Sequence, residues 1–101
     1  MIVIAGQARV LAAAREEAIQ AGSAMAATSR AEPGCLEYRF AIDIDDPLVV
    51  RIFEQWESSQ ALEAHFATAH FAAFSEVILR SVDGAPEFTR FEIASAGPLF
   101  G

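Results

Sequence analysis

The stretch that decides the fold is Cys35 to Ile44, CLEYRFAIDI, followed by Asp45-Asp46-Pro47 and then Leu48 to Glu57, LVVRIFEQWE. In the first run Leu36, Tyr38, Phe40 and Ile42 share one parity, with Cys35, Glu37, Arg39 and Asp43 on the other, which is the two-residue period of a strand. The Asp-Asp-Pro group breaks that period and supplies turn chemistry, so the second run reads as a returning strand and the pair as an antiparallel hairpin.

Upstream, Glu32-Pro33-Gly34 forces a turn, because Pro33 disfavours helix at Glu32 and Gly34 supplies the positive φ of a type II turn. Before it, Leu11, Ala18, Ile19, Gly22, Met25 and Ala26 lie on one helical face while Arg15, Glu16 and Gln20 lie off it, which predicts an amphipathic helix. Ile2 to Val10 opens the chain as a strand. Downstream, Ser58 has the character of an N-cap, and Leu62, Phe66, Phe71, Phe74 and Ile78 continue at near-helical spacing, with a bend or break expected near Thr68 to His70. Glu87 to Ser95 reads as the last strand. The order β-α-β-β-α-β predicts an α+β, ferredoxin-like fold: an antiparallel four-stranded sheet with both helices on one face. Residues 1–95 form a single domain in this reading, and 96–101 a tail. The second sheet face calls for cover from outside the subunit, and a second copy packed sheet to sheet is the simple solution.

Composition narrows the function. Seven basic residues, all Arg, stand against 14 acidic ones, a net charge of −7 that argues against nucleic acid. No uncharged stretch reaches the ~20 apolar residues of a membrane span, so no membrane role is expected. The start, Met1-Ile2-Val3-Ile4, lacks the basic opening of a secretory signal, and a cytoplasmic location is expected. The single Cys35 permits no intrachain disulfide.

The run Glu32-Pro33-Gly34-Cys35, then Tyr38, Phe53-Glu54-Gln55-Trp56-Glu57-Ser58, Ala61-Leu62-Glu63-Ala64-His65-Phe66 and His70-Phe71-Ala72-Ala73-Phe74 closely resembles the antibiotic biosynthesis monooxygenase domain family. The resemblance implies a homodimeric α/β-barrel with a pocket in each subunit between sheet and helices. It also implies one of several chemistries, among them cofactor-independent oxygenation of quinols and anthrones, haem degradation and isomerisation of a phosphorylated signalling sugar. The Asn, Trp and His of the haem-degrading branch look like Gln7, His65 and Ser75 here, which disfavours haem. The chain has no Asn at all, so the Asn associated with the anthrone-oxidising branch is missing too.

Oxygen insertion without metal or flavin needs a base to ionise the substrate, donors to hold its charge and an apolar cavity. Glu54 and Trp56 share a strand parity, so a carboxylate and an indole N–H project side by side. The expected catalytic set is Glu54 as base, with His65 and Trp56 orienting it and stabilising the oxyanion. Tyr38, Phe40, Phe66, His70, Phe71 and Phe74 are the expected substrate-binding residues. No cofactor and no metal is expected: His65 and His70, five apart, would stand about 140° apart on one continuous helix. The expected partners are a second copy, a small hydroxylated aromatic or polycyclic substrate and molecular oxygen. Two other readings use the same residues: a proton-shuttling isomerase acting on a small carbonyl compound, and a non-catalytic stress-response dimer that sequesters quinones.

Overall fold

The hairpin is present in a computed structural model that describes every residue from Met1 to Gly101. Strands β2 (Cys35–Ile42) and β3 (Val49–Trp56) pair antiparallel, and their turn is pinned by Asp43. The Asp43 carboxylate accepts the backbone N–H of Asp45 and Asp46, each at 3.1 Å, and the Arg51 Nε at 2.8 Å. Strand β1 (Ile2–Arg9) lies on the other side of β3, and β4 (Glu87–Glu92) closes the sheet as the far edge in the order β2-β3-β1-β4. The last strand is thus three residues shorter than the sequence predicts. Helices α1 (Arg15–Arg30), α2 (Ser59–Phe66) and α3 (Ala69–Ser81) complete the expected α+β ferredoxin-like order.

A 3-10 turn at Ala12–Ala14 precedes α1, so Leu11 falls outside the helix and is exposed. The rest of the predicted stripe packs: Ala18, Gly22, Met25 and Ala26 are buried, and Ser29 extends the same face. The small residues let α1 approach the sheet closely, since a Cβ at Gly22 would stand 3.3 Å from the Phe40 ring. Gly34 has a φ of 82° as the type II turn requires, and the Cys35 N–H closes that turn on the Glu32 carbonyl at 3.1 Å.

The alternation of β2 fails at its start. The register slips between Cys35 and Glu37, a β-bulge that removes Leu36 from the parity of Tyr38, Phe40 and Ile42 and leaves it 49% exposed. With that correction, the helix-side face carries Ile2 and Ile4 of β1, Tyr38 and Phe40 of β2, and Ile52, Glu54 and Trp56 of β3. Ile2, Met25, Ala26, Tyr38, Ile52, Trp56 and Leu62 form the core.

The opposite face is less apolar than the sequence leads one to expect. Val3, Ala5, Ala41, Phe53 and Phe91 are interspersed there with Gln7, Arg39, Arg51, Gln55, Glu87 and Thr89. Arg39 pairs with Glu37 at 3.7 Å, and Arg51 with Asp43. No helix is long and apolar enough to cross a membrane.

Candidate active site

Strand β3 carries Glu54 and Trp56 under the helices, one pleat apart, and this is where its local sequence places a polar pair inside the core. Glu54 is only 6% exposed and Trp56 not at all. The indole Nε1–H donates to Glu54 Oε1 at 3.0 Å. Burial, aided by the negative charge of Glu32, pushes the Glu54 carboxyl up to about 7 against the lowering effect of that hydrogen bond. Tyr38 lies directly opposite Glu54 on β2, and burial raises its phenol well above the ordinary value, so it stays neutral. Its ring stands 6.3 Å from that of Trp56 and 5.3 Å from that of His65.

Helix α2 begins at the expected cap, where the Ser58 hydroxyl accepts the Ala61 N–H at 3.2 Å, and its last turn delivers His65 into the core. The imidazole is fully buried, 4.8 Å ring to ring from Trp56. It does not bond to Glu54. Its Nδ1 is 2.6 Å from Glu32 Oε2 instead, and its Nε2 is buried without a partner. Burial lowers the His65 pKa, with Glu32 acting in the opposite direction. A neutral ring has one N–H, and the acceptor at Glu32 places it on Nδ1, which leaves a bare lone pair on Nε2.

The expected separation of the two histidines is also overturned. The helix breaks: α2 ends at Phe66 with Ala67 as its C-cap, and the Thr68 hydroxyl caps α3 by accepting the Phe71 N–H at 3.2 Å while donating to the His65 carbonyl at 2.7 Å. The 140° rotation holds only for a continuous helix. Across the break His70 Nε2 comes to 2.8 Å from the same Glu32 Oε2, so one carboxylate oxygen ties both rings together. Glu32, which the sequence marks only as part of a turn, is therefore the junction of the cluster. The Pro-Gly turn that follows it closes on its carbonyl and fixes its backbone, but nothing local in the sequence reports which distant side chains it meets.

The aromatic residues divide. Phe40, Phe71 and Phe74 pack against the core, with Phe40 and Phe74 5.4 Å apart, whereas Phe66 is half exposed and touches Phe71 from outside at 5.1 Å. The expected hollow between sheet and helices is occupied by Tyr38, Trp56, Leu62 and His65, all buried. Two hollows lie elsewhere. One of about 550 Å³ runs over the open sheet face between Gln7, Arg39, Arg51, Phe53 and Glu87, and a smaller one sits beside Arg30, Cys35 and Tyr38 at the β2 edge. Burial pushes the Cys35 thiol up, which works against the thiolate form that a nucleophile needs.

A subunit with this sheet, this helix layer and this buried polar cluster belongs to the α+β ferredoxin-like class. The model of the antibiotic biosynthesis monooxygenase family matches residues 1–77, and the chain belongs to that family. A solved structure from Bacteroides thetaiotaomicron, described as a conserved protein of unknown function and possible oxidoreductase, is 32% identical with a TM-score of 0.85 over 91% of this chain and 96% of its own. A Deinococcus radiodurans protein superimposes over 100% of both chains with a TM-score of 0.90 at 24% identity, a likeness of fold. An uncharacterized protein of Synechocystis is 37% identical over 75 residues, 74% of this chain and 51% of that protein. The chain thus spans about half the length of this curated relative.

Proposed function

We propose that the protein is a cofactor-independent monooxygenase that oxidises a hydroxylated aromatic or polycyclic compound of quinol or anthrone type. In this reading the substrate is the reductant: Glu54 takes its hydroxyl proton, the resulting anion passes electrons to O₂, one oxygen atom enters the ring system and the other leaves as water. The observation that carries the reading is a carboxyl buried against an indole N–H and pushed up to about 7. Such a group is neutral or ionised according to its neighbours at physiological pH, as a general base must be. Trp56 holds charge beside it, and Tyr38, Phe40, Phe71 and Phe74 offer ring surfaces. His65 serves here as a second acceptor through its free Nε2, fixed by Glu32 rather than by Glu54.

Glu54 sits in a filled interior, 6% exposed, so a ring compound reaches it only when the helix layer above it moves. Helix α3 packs chiefly on α1 and little on the sheet, which supports that movement. We also propose that the working form is a homodimer joined through the open sheet faces, and that it resides in the cytoplasm.

The test is oxygen uptake with quinols, anthrones and naphthols, run on the protein and on Glu54→Gln. The expected result is substrate-dependent uptake above autoxidation that falls ~10²-fold or more in the variant, the usual worth of a general base. Uptake unchanged by the substitution overturns the role of Glu54. The pairing of an acidic Glu54 with a basic His65 around one indole also supports an isomerase acting on a carbonyl compound. Turnover that persists without oxygen selects that second reading.

A further inference from the structure

We infer that Glu32, His65 and His70 form a binding site for a divalent first-row transition cation such as Zn²⁺ or Co²⁺. Two imidazoles and one carboxylate are a donor set that such cations take up, and three protein ligands leave further positions for water or substrate. Here Glu32 Oε2, His65 Nδ1 and His70 Nε2 all lie within 4.8 Å of one another. Ligand bonds of ~2.0–2.2 Å require ligand atoms roughly 3–3.5 Å apart. The two contacts to Glu32, at 2.6 and 2.8 Å, need to open by less than about an ångström, and the two imidazole nitrogens, within 4.8 Å of each other, need to draw in, to admit the ion.

Two features of the surroundings favour a cation over the bare hydrogen-bonded cluster. Glu32 is largely buried, its side chain 12% exposed, and its only ion-pair partners are the two histidines; none of the seven arginines meets it. A carboxylate taken out of water with only imidazoles for compensation gains more from a divalent ion than from two N–H donors. Coordination through the His65 Nδ1 needs its lone pair, so the ring takes the other tautomer and its N–H moves to the buried Nε2, which has no partner, a cost that the metal bond has to offset. The ligands also stand on three separately anchored pieces of backbone: the closed turn at Glu32, the last turn of α2 and the first turn of α3. Together they form a preset cradle. His70, with 23% of its side chain exposed, opens the site to solvent, and a cation there has free positions facing outward.

This inference stands apart from the proposed oxygenation, which needs no metal, and binding is read without turnover. The His65 ring is nevertheless the contact between the two, because it stacks 4.8 Å from the Trp56 that bonds Glu54. A bound ion would place a Lewis acid next to the buried carboxyl.

The experiment is titration of chelator-treated protein with Co²⁺, followed by its visible absorption, and with Zn²⁺ by calorimetry. The wild type, His70→Ala and Glu32→Gln are compared, with circular dichroism to establish that each is folded. One equivalent per chain is expected, weakened at least ~tenfold in both variants, since even outer-shell partners of a metal are worth that much. No Co²⁺ spectrum and no Zn²⁺ heat in the wild type overturns the inference, and so does binding that both folded variants retain. Should the variants unfold, electron spin echo measurements on Cu²⁺-loaded wild type decide. Couplings to two imidazole nitrogens support the site; their absence refutes it. Oxygen uptake by the metal-free protein is scored separately, so failure of either idea leaves the other standing.

Discussion

A carboxyl that ionises only near pH 7 inside a folded core makes stability depend on pH in a definite direction. Glu54 has its folded value raised from 4.5 to about 7, so between those values the native state holds a proton that the unfolded chain has lost, and stability falls as pH rises through that window. The penalty reaches on the order of 3 kcal/mol above pH 7. His65 works the other way: its folded value is lowered from 6.5, so its contribution is lost as pH falls through and below the unfolded value. Glu54→Gln removes the first effect and leaves the second. The variant is expected to gain on the wild type steadily from pH 4.5 to pH 8 in urea unfolding. A gap that stays flat across that range contradicts a buried, reluctant carboxyl. Parity along β3 was enough to select Glu54 and Trp56 as neighbours, because pleat alternation is a property of adjacent residues. The partner of His65 was misread as Glu54 because Glu32 lies 33 residues away in the chain, and no local pattern reports such a meeting.

At the level of elements, the α2–α3 break matters more than either helix. Thr68 ends one helix and starts the next with a single hydroxyl, and the break turns His65 and His70 toward one carboxylate. Thr68→Ala is expected to cost ~1 kcal/mol, about what a lost cap costs, and to shift the His70 ring resonances. Ser58→Ala, which removes the cap of α2, is expected to cost a similar amount while leaving His70 undisturbed. Equal His70 spectra in all three proteins would show that the cap does not set the histidine geometry. The near-helical run of phenylalanines made the bend legible in the sequence. The angle it produced was not legible, since it depends on which hydrogen bonds the freed backbone groups find. The bulge at Leu36 was hidden for a related reason: alternation in composition runs straight through it, and only the pairing partner shows the slip.

In the whole molecule the helices cover one face of the sheet and leave the other bare. Phe53, 39% exposed, and Phe91 lie there among arginines and glutamines, a mixture suited to an interface with a polar rim rather than to free solvent. Phe53→Arg is expected to shift the proposed dimer to monomer in sedimentation velocity at micromolar concentration, with the fold retained by circular dichroism. A wild type that is already monomeric under those conditions rejects the sheet-to-sheet dimer. The sequence by itself determined the order of strands and helices, the hairpin, the Gly34 turn and the shared parity of Glu54 and Trp56. Each of these rests on periodicity or turn chemistry acting over a few residues. The tertiary structure alone decided that this parity faces the helices, that Glu32, His65 and His70 converge and that the space beneath the helices is filled rather than hollow. Convergence needs segments more than 30 residues apart to meet, and whether a core closes depends on how side-chain volumes fit once all the elements have packed.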